Sequence, residues 1–144
     1  MRTQSANSIE SRRLLLALPI GAAVLWLLGQ RERPIKFDVV NVGIEAALAL
    51  VEAGGLVIDV RNRSLYELKH IVGAISTPLN GLRTAIPTSI ADITHKAILV
   101  YCGDGLTMGP EGTHILNKAG FVQAVNLQSG IEGWVAAGLP VRRG

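Results

Sequence analysis

Cys102 is the only cysteine of the chain, and its neighbours are of the kinds that activate a thiol. It follows a short apolar run, Ala97-Ile98-Leu99-Val100-Tyr101, and opens a loop reading Gly103-Asp104-Gly105-Leu106-Thr107-Met108-Gly109. Beyond the loop, from Pro110-Glu111 onward, Ile115, Leu116 and Ala119 fall at helical spacing. The order is therefore strand, thiol, glycine-rich loop, helix N-terminus. Free N–H groups at a helix start and along such a loop favour negative charge, so they suit a sulfur nucleophile and can cradle an anion. A lone cysteine is otherwise a small buried hydrophobe. Three glycines in the seven loop residues have no use in a merely packed strand end, and they favour the reactive reading. Asp104 works against it: a carboxylate beside the sulfur opposes negative charge there and repels anionic donors, unless it is a solvated turn residue.

The elements that must hold this loop are legible as alternating strands and helices. Residues 37–42 read as a short strand, and Ile44, Ala47, Leu48 and Val51 as one face of a helix ending at Gly54-Gly55. A buried strand is expected over 56–60, a short helix over 64–69, a brief strand over 74–76 and a looser region over 79–93, interrupted by Pro87. Then come the strand over 97–101, a helix over 111–119, a strand over 124–127 and a last helix over 131–137. This alternation predicts an α/β fold, a parallel sheet with helices on both faces, in which ligands lie outside the carboxyl ends of the strands. Cys102 is at such an end.

The chain has 144 residues, room for one ordinary domain. A single cysteine excludes an intramolecular disulfide, and His70, His95 and His114 are too scattered for a metal site. The net charge of +3 does not point to nucleic acid. From Arg31 onward 11 Lys and Arg face 10 Asp and Glu, no basic stripe exists, and aromatics at 4% are too few for base stacking.

Hydrophobic residues reach 49% with a mean hydropathy of +0.36, and the excess lies at the N-terminus. Residues 14–29 carry no charge and are flanked by Arg12-Arg13 and Gln30-Arg31-Glu32-Arg33. As helix this run spans about 24 Å against a bilayer core of about 30 Å, which snorkelling arginines and thinning can reconcile. A cleaved secretory signal is the competing reading, yet no small-x-small site follows Leu28; a buried soluble helix is a third, disfavoured because the run is apolar on every face. The expected organisation is a tail over 1–13, one transmembrane anchor over 14–30, a linker over 31–38 and the folded domain over 39–144. Positive charges tie at three on each side of the span, and Ser11-Arg12-Arg13-Leu14-Leu15-Leu16 resembles a twin-arginine signal, tilting the domain toward the exported face.

Five motifs together resemble a single-domain rhodanese, a sulfurtransferase family, over about 39–141. Asp59-Val60-Arg61 resembles the family's strand signature, and His70-Ile71-Val72-Gly73-Ala74 its turn. Val100-Tyr101-Cys102 with Gly105 resembles its catalytic loop, and Ala119-Gly120-Phe121 with Gly130-Ile131-Glu132-Gly133-Trp134 its C-terminal pattern. The resemblance implies a central parallel five-stranded sheet and catalysis by Cys102. That thiol would accept a sulfane sulfur as a persulfide from a donor such as thiosulfate or another persulfide, and pass it to a thiol or to cyanide. It implies a substrate loop of Gly103, Asp104, Gly105, Leu106, Thr107 and Met108, structural roles for Asp59, Arg61 and His70, and neither cofactor nor metal.

The loop departs from the family in one respect that touches chemistry. Thr107 or Met108 stands where an arginine is usual, which removes a charge-assisted contact to thiosulfate, and Arg83 is the candidate to supply the missing cation. Met108 also occupies the place of the phosphate-holding arginine in rhodanese-like phosphatases, which disfavours that activity. The alternative to a membrane-tethered sulfurtransferase is thus a catalytically weak rhodanese-like module that binds an anion or a partner.

Overall fold

The computed structural model describes residues 36–144. The expected tail, the anchor over 14–30 and the first part of the linker lie outside the described residues, among which no helix is long and apolar enough to cross a membrane.

In chain order the elements are β1 (Asn41–Val42), α1 (Ile44–Glu52), β2 (Leu56–Asp59), α2 (Arg63–Leu68), β3 (His70–Ile71) and β4 (Ile75–Ser76). There follow α3 (Leu79–Leu82), β5 (Ile98–Tyr101), α4 (Met108–Lys118), β6 (Ala124–Leu127), α5 (Gly130–Ala136) and β7 (Val141–Arg142). Five strands form one parallel sheet in the order β1-β6-β5-β2-β4. β5 is central: Asp59 lies opposite Tyr101 on one side, and Val100 opposite Asn126 on the other.

Side chains of a strand alternate between the sheet's faces, and β5 divides the core accordingly. Ile98, Val100 and Cys102 pack with Leu79, Leu82, Leu116 and Phe121 on the face covered by α3 and α4. Leu99 and Tyr101 pack with Ala47, Ile131 and Trp134 on the face covered by α1 and α5. Burial of each large apolar side chain contributes roughly 1.5–3 kcal/mol, so the strand that delivers Cys102 is the best-anchored element of the fold. Cys102 itself is 1% exposed.

Two local expectations are corrected. α4 starts at Met108, not at 111, because Pro110 falls in the first turn, where a missing N–H leaves nothing unpaired. The strand expected over 37–42 is only Asn41–Val42. β3 and β7 form an antiparallel pair joining His70 to Arg142 and Ile71 to Val141, which no sequence pattern announces, since two residues show no alternation to read. The short helix after β2 has a clear local cause: the Asn62 side chain accepts the Leu65 N–H at 2.9 Å and caps α2.

Candidate active site

β5 ends at Tyr101 and carries Cys102 one residue past the sheet edge, where the chain curls back on the sulfur. The Gly105 N–H donates to Cys102 Sγ at 3.2 Å. The curl needs Gly105 itself, whose φ is +76° and whose missing Cβ would collide with the Leu127 and Gln128 carbonyl oxygens. Gly109, in the first turn of α4, passes equally close. A Cβ there would strike Asn126 Oδ1 and lie 3.3 Å from Cys102 Sγ. The sulfur is therefore enclosed by backbone, with the positive end of α4 beside it.

Asp104 is exposed but turned inward. Its Oδ1 accepts the Leu106 N–H at 2.9 Å, fixing the turn, and faces Cys102 Sγ at 3.6 Å as acceptor for the thiol proton. α5 closes the other side: Ile131 N–H donates to Cys102 O at 2.9 Å and Glu132 N–H to Gly103 O at 3.1 Å. The Glu132 carboxylate reaches back to 3.6 Å from where a Gly103 Cβ would be. Leu106 is 71% exposed at the loop tip, Thr107 is exposed, and Met108 turns under the loop onto the α4 face of the core.

The remaining predicted residues gather elsewhere. Asp59 and Arg61 form a buried ion pair at 2.7 Å, and Arg61 also donates to the Lys69 carbonyl oxygen and lies 5.6 Å over the Tyr101 ring. Burial opposes the Arg61 charge, but the hydrogen bonds to Asp59 prevail and hold the guanidinium above its ordinary value. Tyr101 accepts the Ile71 N–H at 3.1 Å, and burial, reinforced by the Asp59 carboxylate, pushes its phenol far upward. His70 donates Nδ1–H to the Tyr66 carbonyl at 2.8 Å and stacks on the Tyr66 ring at 3.9 Å. This cluster braces the α1 and α5 face of the sheet, opposite Cys102.

Arg83 is held by Glu111, in the first turn of α4, through two contacts of 2.6 and 2.7 Å, and by Asn80 at 3.1 Å. No hydrogen bond among the described residues joins it to the Cys102 loop. Its hydrogen bonds draw Glu111 below the usual carboxylate range. His114 packs against the Phe37 ring at 5.2 Å. No cluster of His, Cys, Asp and Glu suited to a metal ion exists among the described residues.

One residue of the site was missed. Asn126 on β6 is fully buried and donates from Nδ2 to Gly105 O at 2.9 Å and to Asn41 Oδ1 at 2.8 Å. The signal was a lone amide in the otherwise apolar run 124–127.

Known proteins share this fold. A family model described as the rhodanese-like domain matches residues 44–137. An uncharacterised Escherichia coli protein, YibN, is 29% identical over 109 residues, covering 76% of this chain and 75% of its own. The solution structure of the rhodanese-like domain of the Anabaena protein Alr3790 superposes with a TM-score of 0.60 at 28% identity, covering 72% of this chain and 79% of that one. The thiosulfate sulfurtransferase of Pseudomonas aeruginosa does so with a TM-score of 0.61 at 30% identity, over 74% of this chain but 20% of its own.

Proposed function

This chain belongs to the rhodanese-like domain family, and from that premise we propose that it is a sulfurtransferase working through a Cys102 persulfide. The observation that carries the reading is the thiol at the end of the central strand, receiving the Gly105 N–H and lying against the first turn of α4. In the first half-reaction the sulfur attacks the outer sulfur of a donor, thiosulfate or a persulfide. The Cys102 S–S bond forms as the donor's S–S bond breaks, and sulfite or a thiolate leaves with the bonding pair. In the second, a thiol or cyanide attacks the terminal sulfur and Cys102 leaves as thiolate. The loop amides and the helix start stabilise negative charge on sulfur in both steps.

The alternative, a weakly active anion- or partner-binding module, draws its support from Arg83, which is engaged by Glu111 rather than offered to an anion. Steady-state transfer separates the two. Production of thiocyanate from thiosulfate and cyanide, or of a new persulfide from a persulfide and a thiol, supports the enzyme, provided that Cys102→Ser loses it. Absence of all transfer supports the module.

The reading includes a membrane tether through residues 14–30, which would hold Cys102 near a membrane and favour a membrane-proximal sulfur partner. Full-length protein is then expected in the membrane fraction after a high-salt wash. Recovery in the soluble fraction removes the tether from the account.

A further inference from the structure

Two carboxylates lie against the Cys102 loop. Asp104 Oδ1 is 3.6 Å from the sulfur, and Glu132 Oε1 lies beside Gly103, 3.6 Å from the position of a Cβ there. The cation expected at the site, Arg83, has its guanidinium bound to Glu111 and Asn80. Among the described residues no Lys or Arg side chain donates a hydrogen bond to residues 102–109. A donor arriving at the sulfur therefore finds the backbone N–H groups of the loop and the α4 start as its positive partners, with Asp104 and Glu132 opposing them, and a small dianion such as thiosulfate feels that opposition most.

The Asp104 contact has a second consequence. Its Oδ1 is already fixed by the Leu106 N–H, so the carboxylate is aimed at the thiol before any substrate arrives. Resting on the persulfide reading above, we propose that Asp104 makes this loop selective for persulfides of low net charge, R–S–SH, by accepting the Cys102 proton and returning it to the leaving thiolate. The exchange consumes no co-reactant. The Cys102 S–H proton goes to Asp104, a bond forms between Sγ and the terminal sulfur, and the R–S bond to that sulfur breaks. The electron pair leaves on RS⁻, which takes the proton back from Asp104, so Cys102–SH and R–S–SH give Cys102–S–SH and R–SH. A thiolate can leave as the anion, but it is a much stronger base than sulfite, so a proton supplied as the bond breaks lowers the cost of its departure. Sulfite, which leaves from thiosulfate, is stable as an anion and gains nothing from it, so for thiosulfate Asp104 contributes only repulsion.

Asp104→Asn separates the effects while keeping the turn, because the amide oxygen still accepts the Leu106 N–H and the position is exposed. The test is the rate at which full-length wild-type and Asp104→Asn proteins gain one sulfur by intact mass, with cysteine persulfide and, separately, with thiosulfate. Loading from cysteine persulfide is expected to slow and loading from thiosulfate to quicken, shifting the ratio of the two rates about tenfold or more. Equal change with both donors, or no change, overturns the inference and leaves the persulfide reading standing. Failure of both proteins to gain sulfur from either donor overturns the persulfide reading and the inference with it.

Discussion

Asn126 Nδ2 donates to the Gly105 carbonyl oxygen at 2.9 Å, so a fully buried side chain of β6 holds the middle of a loop that belongs to β5. The same amide reaches Asn41 on β1, and its Oδ1 rests against Gly109 at the start of α4. One side chain thus ties together the edge strand, the loop and the helix that surround the thiol.

Asn126→Ala should cost about 1–3 kcal/mol, because the Gly105 carbonyl and the Asn41 amide lose a buried donor. Asn126→Asp should cost more, placing a carboxylate oxygen against two acceptors. Urea unfolding measures the first effect, and the rate of sulfur loading on Cys102 measures positioning. A loss of stability with an unchanged loading rate would make Asn126 structural only.

Gly109→Ala puts a methyl group against Asn126 Oδ1 and 3.3 Å from the sulfur. Overpacking of this kind costs about 1–3 kcal/mol, and the added carbon occupies space beside the atom that must receive sulfur. Transfer should fall at least tenfold while the variant remains folded by circular dichroism. Full activity in Gly109→Ala would show that the incoming sulfur approaches from another side.

The Arg83–Glu111 pair gives a pH dependence with a definite sign. Arg83 hydrogen bonds hold Glu111 below the usual carboxylate range, so the fold favours its charged form. That stabilisation is complete above the ordinary carboxylate range and is lost as pH falls through the depressed folded value. The difference in melting temperature between wild type and Arg83→Met should be largest near neutral pH and close in acid. Parallel curves down to strongly acid pH would place the pair's effect elsewhere.

What the sequence revealed of this site is what is local in the chain. The run 97–101, the thiol and the glycines after it are consecutive, so strand, loop and helix start could be read in order, as could the parallel sheet from the alternation around them. Asn126 escaped because only strand register brings it to Gly105, 21 residues away in sequence. Arg83 and Glu111 are 28 residues apart, and the sequence could show that a cation was available but not that α4 would present a carboxylate to it. The β3–β7 pair was invisible for the same reason, being long-range contact between segments too short to carry a pattern.

Because Cys102 is the only cysteine, a sulfur stably bound as persulfide has one place to reside, and intact mass reads it directly. The protein incubated with cysteine persulfide or thiosulfate alone, then freed of donor, should be heavier by one sulfur atom. Cyanide should remove that atom as thiocyanate, and Cys102→Ser should never acquire it. Wild-type protein that keeps its original mass with both donors would contradict a Cys102 persulfide and, with it, the account of this loop as a sulfur-transfer site.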